Sequence, residues 1–136
     1  MSALPQKICL VDDDEAVRDS LRVLLESYGI AVEDYGSARD FLSDAASNES
    51  DCLLLDLHMP DMDGLQLLDA MRKRGSAMPV IMITGRGDSH LGDRAKQAGA
   101  YTLLNKPVGE DLLLQSIRRA VAENRSANAR PVAASQ

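Results

Sequence analysis

Short apolar runs and stretches of helical periodicity alternate along this chain. Ile8-Cys9-Leu10-Val11 is a continuous apolar run that ends in acids, the pattern of a strand buried on both faces. Val17, Leu21, Leu24 and Tyr28 then recur at helical spacing, with Asp14 placed to cap the helix and Gly29 to end it. A second strand is predicted from Ile30 to Tyr35. A capping signal at Ser37 to Asp40 opens a short helix through Phe41, Leu42 and Ala45. Cys52 to Asp56 predicts a third strand, again apolar until its last residue. The loop His58 to Gly64 is polar and rich in turn formers. A helix follows on Leu65, Leu68 and Met71 and stops near Gly75. Pro79 to Thr84 predicts a fourth strand, Gly85 to Asp88 a loop, and Ser89 to Ala98 a weaker helix closed by Gly99. Ala100 to Leu104 predicts a fifth strand, broken at Lys106-Pro107. Leu113, Ile117 and Val121 mark a last helix, and from about Asn124 the composition turns to that of a tail.

Five strands alternating with five helices imply an α/β domain, a parallel sheet covered on both faces. Right-handed crossovers leave few topologies. In such sheets ligands bind beyond the carboxyl ends of the strands, at the topological switch point.

Composition narrows the function. The chain has 136 residues, enough for one domain with one core. Aromatics make up only 3%, so the core must be aliphatic. The net charge of −6 carries no basic nucleic-acid footprint. Cys9 and Cys52 lack metal-site spacing and read as two buried thiols. The amino-terminal segment has no apolar signal core and no run is long enough to span a bilayer, so the expectation is a cytoplasmic protein with no membrane contact.

The strand ends carry the chemistry. The first predicted strand ends in Asp12-Asp13, the third in Asp56, the fourth in Thr84, and the fifth runs into Lys106. A parallel sheet brings these ends to one edge, so three carboxylates, a hydroxyl and an ammonium converge. Crowded carboxylates repel, and one would take up a proton without compensation. Mg²⁺, which prefers hard oxygen ligands and keeps several waters, removes the conflict. Asp56 is then a carboxylate nucleophile, with Thr84 and Lys106 placed to stabilise a transferring phosphoryl group. Each residue alone has a plainer reading: Asp12 to Asp14 as an acidic turn, Asp56 as a loop cap, Thr84 as a satisfied hydroxyl and Lys106 as a surface charge. Their joint placement at four strand ends favours a site. Asp61 and Asp63 read as turn residues, the methionines as packing, His90 as a helix-surface residue.

Val11-Asp12-Asp13, Leu55 to Gly64, Ile83-Thr84-Gly85, Ala98-Gly99-Ala100 and Lys106-Pro107 match, in order and spacing, the blocks of bacterial response regulator receiver domains. The chain resembles that family over roughly residues 6 to 123, and Gly85 to Asp88 resembles receivers of the nitrogen-fixation regulator type. The resemblance implies a flavodoxin-like, doubly wound five-stranded parallel sheet of order 2-1-3-4-5. It implies a receiver over residues 1–123, with 124–136 a flexible tail or linker stub. Asp56 would accept a phosphoryl group from a sensor histidine kinase or a histidine phosphotransfer protein. Asp13 and Asp56 would bind Mg²⁺ directly, Asp12 through water, and the His58 carbonyl would complete the metal site. Thr84 and Lys106 would contact the phosphoryl oxygens, and the Lys106-Pro107 peptide would be cis. The domain would catalyse only its own phosphorylation and dephosphorylation, which is not enzymatic turnover. The face of the fourth helix, fifth strand and fifth helix would serve dimerisation or target binding.

The sequence departs from the family where an aromatic usually stands three residues before the lysine. That position is Leu103; Tyr101, two residues earlier, is expected by strand alternation on the same face. His58 and Arg86 hold positions that tune acyl-phosphate lifetime in the family, or are solvated loop residues. Three other readings compete. A phosphatase with an aspartyl-phosphate intermediate needs a second acid where His58 stands, and a cap domain as well. A flavin or nucleotide binder needs a glycine-rich cradle after the first strand. A domain with a decayed site would have lost key positions that are intact here. Both a stand-alone receiver and the front part of a longer DNA-binding regulator remain open.

Overall fold

The computed structural model describes residues 4–44, 49–85 and 89–128. Strands β1 (Lys7–Val11), β2 (Ala31–Tyr35), β3 (Cys52–Asp56), β4 (Val80–Thr84) and β5 (Thr102–Asn105) alternate with helices α1 (Glu15–Ser27), α2 (Ala38–Ser43), α3 (Gly64–Lys73), α4 (Ser89–Gln97) and α5 (Glu110–Asn128). All strand pairs are parallel, and the order is β2-β1-β3-β4-β5. This is the doubly wound order that the resemblance implies.

Local chemistry sets the helix ends. The Asp14 carboxylate accepts hydrogen bonds from the Ala16 and Val17 backbone N–H groups, satisfying donors the first turn of α1 leaves free. Ser37 caps α2 through the Asp40 N–H. Asp63 and Gln66 form a reciprocal capping box at the start of α3. Gly29 stops the chain after α1 at φ +80°, a left-handed conformation that a side chain would strain.

The sheet divides the core into two layers. Ile8, Leu10, Leu54, Ile81 and Ile83 face α1 and α5, where they meet Leu25, Leu113 and Ile117. Cys9, Val11, Leu53, Leu55 and Met82 face the other way, onto Phe41 of α2, Leu67 and Leu68 of α3, and Ala95 of α4. The alternation comes from the pleat, and both faces are covered, which is why the strands read as unbroken apolar runs. Cys9 and Cys52 are buried in opposite layers and unpaired with each other.

Two local expectations need correction. Tyr101 precedes β5 and sits in a bend, so strand alternation does not reach it. Its ring packs with the α1/α5 layer and its hydroxyl donates to Glu123 at 2.7 Å, whereas Leu103 packs into the opposite layer. The last helix does not stop near Glu123 but continues through Asn124 to Asn128. The Asn, Arg, Ser and Ala residues there are not helix breakers, and the first Pro comes only at 131. Among the described residues no helix is long and apolar enough to cross a membrane.

Candidate functional site

The strand order reverses direction between β1 and β3, and the acids stand just there. Asp12 and Asp13 follow the last residue of β1, and Asp56 is the last residue of β3. Thr84 closes β4, and Lys106 follows β5, its N–H bonded to the Thr84 carbonyl at 2.7 Å. The geometry thus brings Asp12, Asp13, Asp56 and Lys106 together, with Thr84 at the end of the strand between β3 and β5.

Carboxylate oxygens of Asp12, Asp13 and Asp56 lie within 4.8 Å of one another. Asp12 and Asp56 are buried and Asp13 is exposed, so the cluster opens to solvent on one side. One Asp12 oxygen accepts the Asp14 N–H at 2.8 Å; the other accepts Lys106 Nζ at 3.2 Å. The same ammonium is 3.6 Å from Asp56 Oδ1. Asp12 and Asp56 therefore share the Lys106 ammonium, with the Asp13 carboxylate beside them.

The electrostatic consequence falls on Asp56. Burial, then repulsion from Asp12, push its carboxyl up to about 6, against the pull of Lys106 and of the His58 backbone N–H. Burial alone would lower the Lys106 ammonium, yet the carboxylates of Asp12 and Asp56 outweigh it and raise it. Lys106 is thus held charged beside the acids. The donor set is all oxygen, rich in carboxylate and short of positive charge, which fits a hard divalent cation such as Mg²⁺.

Backbone packing holds Asp56 at this edge. The Gly64 N–H donates to the Leu57 carbonyl at 2.9 Å. A Cβ at Gly64 would lie 2.7 Å from the Asp56 carbonyl oxygen and 2.9 Å from Leu57 Cα, so only glycine lets α3 start this close to the acid. Asp61, in the loop between them, has φ 66°. The Lys106-Pro107 peptide is cis, as the resemblance implies.

Thr84 is fully buried at the end of β4. The His58 side chain is exposed, and its backbone N–H bonds the Asp56 carboxylate. Asp63 is the helix cap and Asp61 a loop residue; neither joins the cluster. Arg86 lies outside the described residues. Arg18 and Asp34 were not singled out in the sequence, although both touch the site's frame: Arg18 Nη1 donates to the Asp12 carbonyl at 2.7 Å and Nε to Asp34 at 3.1 Å. The available signal was an arginine one turn beyond the Asp14 cap and an acid near the end of β2.

Fold and site together define a flavodoxin-like α/β domain with an acidic cluster and a lysine at its switch point. The response regulator receiver domain model matches residues 8–118, and the chain belongs to that family, the receiver domains of two-component response regulators. It is 39% identical over 118 residues to the transcriptional regulatory protein TdiR of Thauera aromatica, covering 87% of this chain and 52% of that protein. It is 38% identical over 115 residues to the transcriptional regulatory protein FixJ of Azorhizobium caulinodans, covering 85% and 54%. The structure of a CheY-like receiver domain protein from Methanospirillum hungatei superposes with a TM-score of 0.81 at 32% identity, covering 92% of this chain and 99% of that one. The chain spans about half the length of the curated relatives it matches.

Proposed function

We propose that this domain accepts a phosphoryl group on Asp56 in a Mg²⁺-dependent reaction, and so switches protein–protein contacts in a two-component phosphorelay. One observation carries the reading: three carboxylates lie within 4.8 Å of one another at the switch point of the sheet, and the two buried ones, Asp12 and Asp56, share the Lys106 ammonium.

The donor is a phosphohistidine on a sensor histidine kinase or histidine phosphotransfer protein. An Asp56 carboxylate oxygen bonds to phosphorus as the phosphorus–nitrogen bond breaks; the pair of electrons stays on the imidazole, and an acyl phosphate forms. Asp13, Asp56 and the His58 carbonyl are the direct metal ligands in this reading, with Asp12 acting through water. Bound Mg²⁺ supplies charge neutralisation for the acids and the phosphoryl oxygens. Lys106 contributes a fixed positive charge and Thr84 a hydroxyl donor to those oxygens. No general base is needed, because the nucleophile works as a carboxylate. The domain is reset when water attacks the phosphorus, breaking its bond to the Asp56 oxygen and releasing inorganic phosphate and the free carboxylate, so the domain turns over no separate substrate. An aspartyl-phosphate phosphatase would place an acid two residues past the nucleophile; here that position is the exposed His58.

An apolar groove of about 600 Å³ runs beside the site between α1 and the segment after β5, lined by Val17, Leu21, Pro107 and Val108 among others. Its place next to Lys106 suits the helices that would present a phosphohistidine. The α4–β5–α5 face is assigned to dimerisation or target binding. A cytoplasmic location goes with this role.

Incubation with acetyl phosphate and Mg²⁺, read by intact mass, tests the assignment. The parent should gain one phosphoryl group, and Asp56→Asn or chelation of the metal should abolish it. Normal labelling of Asp56→Asn would overturn the nucleophile.

A further inference from the structure

We propose that Arg18 is a positioning residue for the acidic cluster: its guanidinium ties the Asp12 carbonyl to the Asp34 side chain and so holds the Asp12-Asp13 turn in the shape that a divalent cation needs. This rests on reading the cluster as a metal site.

The ladder between β1 and β2 runs one step past the strands, with the Asp12 N–H donating to the Tyr35 carbonyl at 3.1 Å. There β2 ends, and Gly36 leads into Ser37, the cap of α2. The chain has turned away where the next ladder N–H would meet the Asp12 carbonyl. Arg18, one turn into α1, supplies the donor instead, at 2.7 Å. Its Nε donates to Asp34 Oδ2 at 3.1 Å, which fixes the plane of the guanidinium. The Arg18 side chain is only 16% exposed, so this is a largely desolvated fork with two set acceptors.

Two neighbours are shaped to it. A Cβ at Gly36 would stand 3.3 Å from Arg18 Nη1, closer than ordinary contact, so the glycine leaves the guanidinium its room. Asp34 is in turn paired with Arg22, which also donates to the Val32 carbonyl and to Glu26. The sequence of contacts is therefore Arg22, Asp34, Arg18, Asp12 carbonyl. Asp12 is then held at its N–H by Tyr35, at its carbonyl by Arg18, and at its side chain by the Asp14 N–H and Lys106. Asp13, the exposed acid, hangs on that frame by one peptide. A lysine carries a point charge and cannot serve both acceptors in one plane.

Arg22 is the internal control, because it pairs with the same Asp34 and its contacts do not include Asp12. Mg²⁺ binding is measured by titration calorimetry on the full chain, alongside thermal unfolding without metal. Arg18→Met and Arg18→Lys should weaken Mg²⁺ binding about tenfold, as loss of an outer-shell partner typically does. Arg22→Met should stay within about twofold of the parent while losing comparable thermal stability. Acetyl phosphate labelling of Arg18→Met should recover at saturating Mg²⁺, which loss of the nucleophile or of the fold would not allow. If Arg18→Met does not fold, Asp34→Asn, which frees the Arg18 fork while keeping the side-chain shape, must show the same selective loss of Mg²⁺ affinity. Parent-like affinity in the Arg18 variants, or an equal loss in Arg22→Met, overturns the positioning role. A parent that binds no Mg²⁺ overturns the metal reading itself, and is distinguished by that from a parent that binds normally with indifferent Arg18 variants.

Discussion

Asp56 is buried beside another buried carboxylate, with one ammonium 3.6 Å away to offset both. A carboxyl pushed up to about 6 in the folded chain, against an ordinary value of 3.8, costs the fold free energy once the pH is above the ordinary value. Asp56→Asn removes that charge and keeps the shape. In the absence of divalent metal at pH 7 the variant should be more stable than the parent, by on the order of 2 kcal/mol. Added Mg²⁺ should stabilise the parent more than the variant. Thermal melts with chelator and with Mg²⁺ check this, and a metal-free variant that melts below the parent contradicts it. The acids themselves were legible in the sequence, because an apolar run that ends abruptly in Asp marks a strand end, and parallel topology then brings such ends together. The frame behind them was not. An arginine among the many polar residues of α1 carries no mark of its acceptor, and Asp34 reads only as an ordinary polar strand residue. Their roles depend on which way β2 turns at Gly36, and that is a matter of tertiary geometry.

At the scale of elements, the charged pairs between α1 and β2 bind a helix to the sheet edge. Burial raises the Asp34 carboxyl, but its bonds with Arg22 and Arg18 outweigh this, so the group is held below its ordinary value. A carboxyl lowered by folding stabilises the fold above its unfolded value of about 3.8, and that contribution disappears as pH falls through the folded value. Asp34→Asn should therefore lower stability at neutral pH and flatten its dependence on pH below about 4. Urea midpoints from pH 2.5 to 7 would show it; parallel curves for parent and variant would refute it. Most element boundaries followed from capping chemistry within a residue or so, since Asp14, Ser37 and Gly29 act locally. The failures came where local chemistry is silent. Tyr101 looked like a strand residue because aromatics favour strands, yet the strand begins one residue later and the ring turns to α5. The run after Glu123 lacks an apolar stripe, yet nothing in it stops a helix already under way.

For the molecule as a whole, alternation of strand and helix announced a two-faced parallel sheet, whereas the order of the strands came from the family resemblance. Periodicity shows that a strand is buried but not which strand lies beside it. The consequence of the two-faced sheet is that neighbouring residues serve different cores. Leu54 and Leu55 are adjacent on β3 and both fully buried, but Leu54 packs under α1 and α5 and Leu55 under α2, α3 and α4. The layers cannot unfold separately, because β1, β3 and β4 form the floor of both. Leu54→Ala and Leu55→Ala should each cost about 2–5 kcal/mol. Each variant should still unfold in one urea transition, with the helix signal and the tyrosine fluorescence changing together. Tyr101 packs in the α1/α5 layer and Tyr35 on Phe41 in the other, and helices lie on both faces, so each signal draws on both layers. A Leu55→Ala variant that unfolds in two steps, or whose helix and tyrosine signals separate, would mean that one layer detaches by itself, and that the central strands do not couple the two halves of the core.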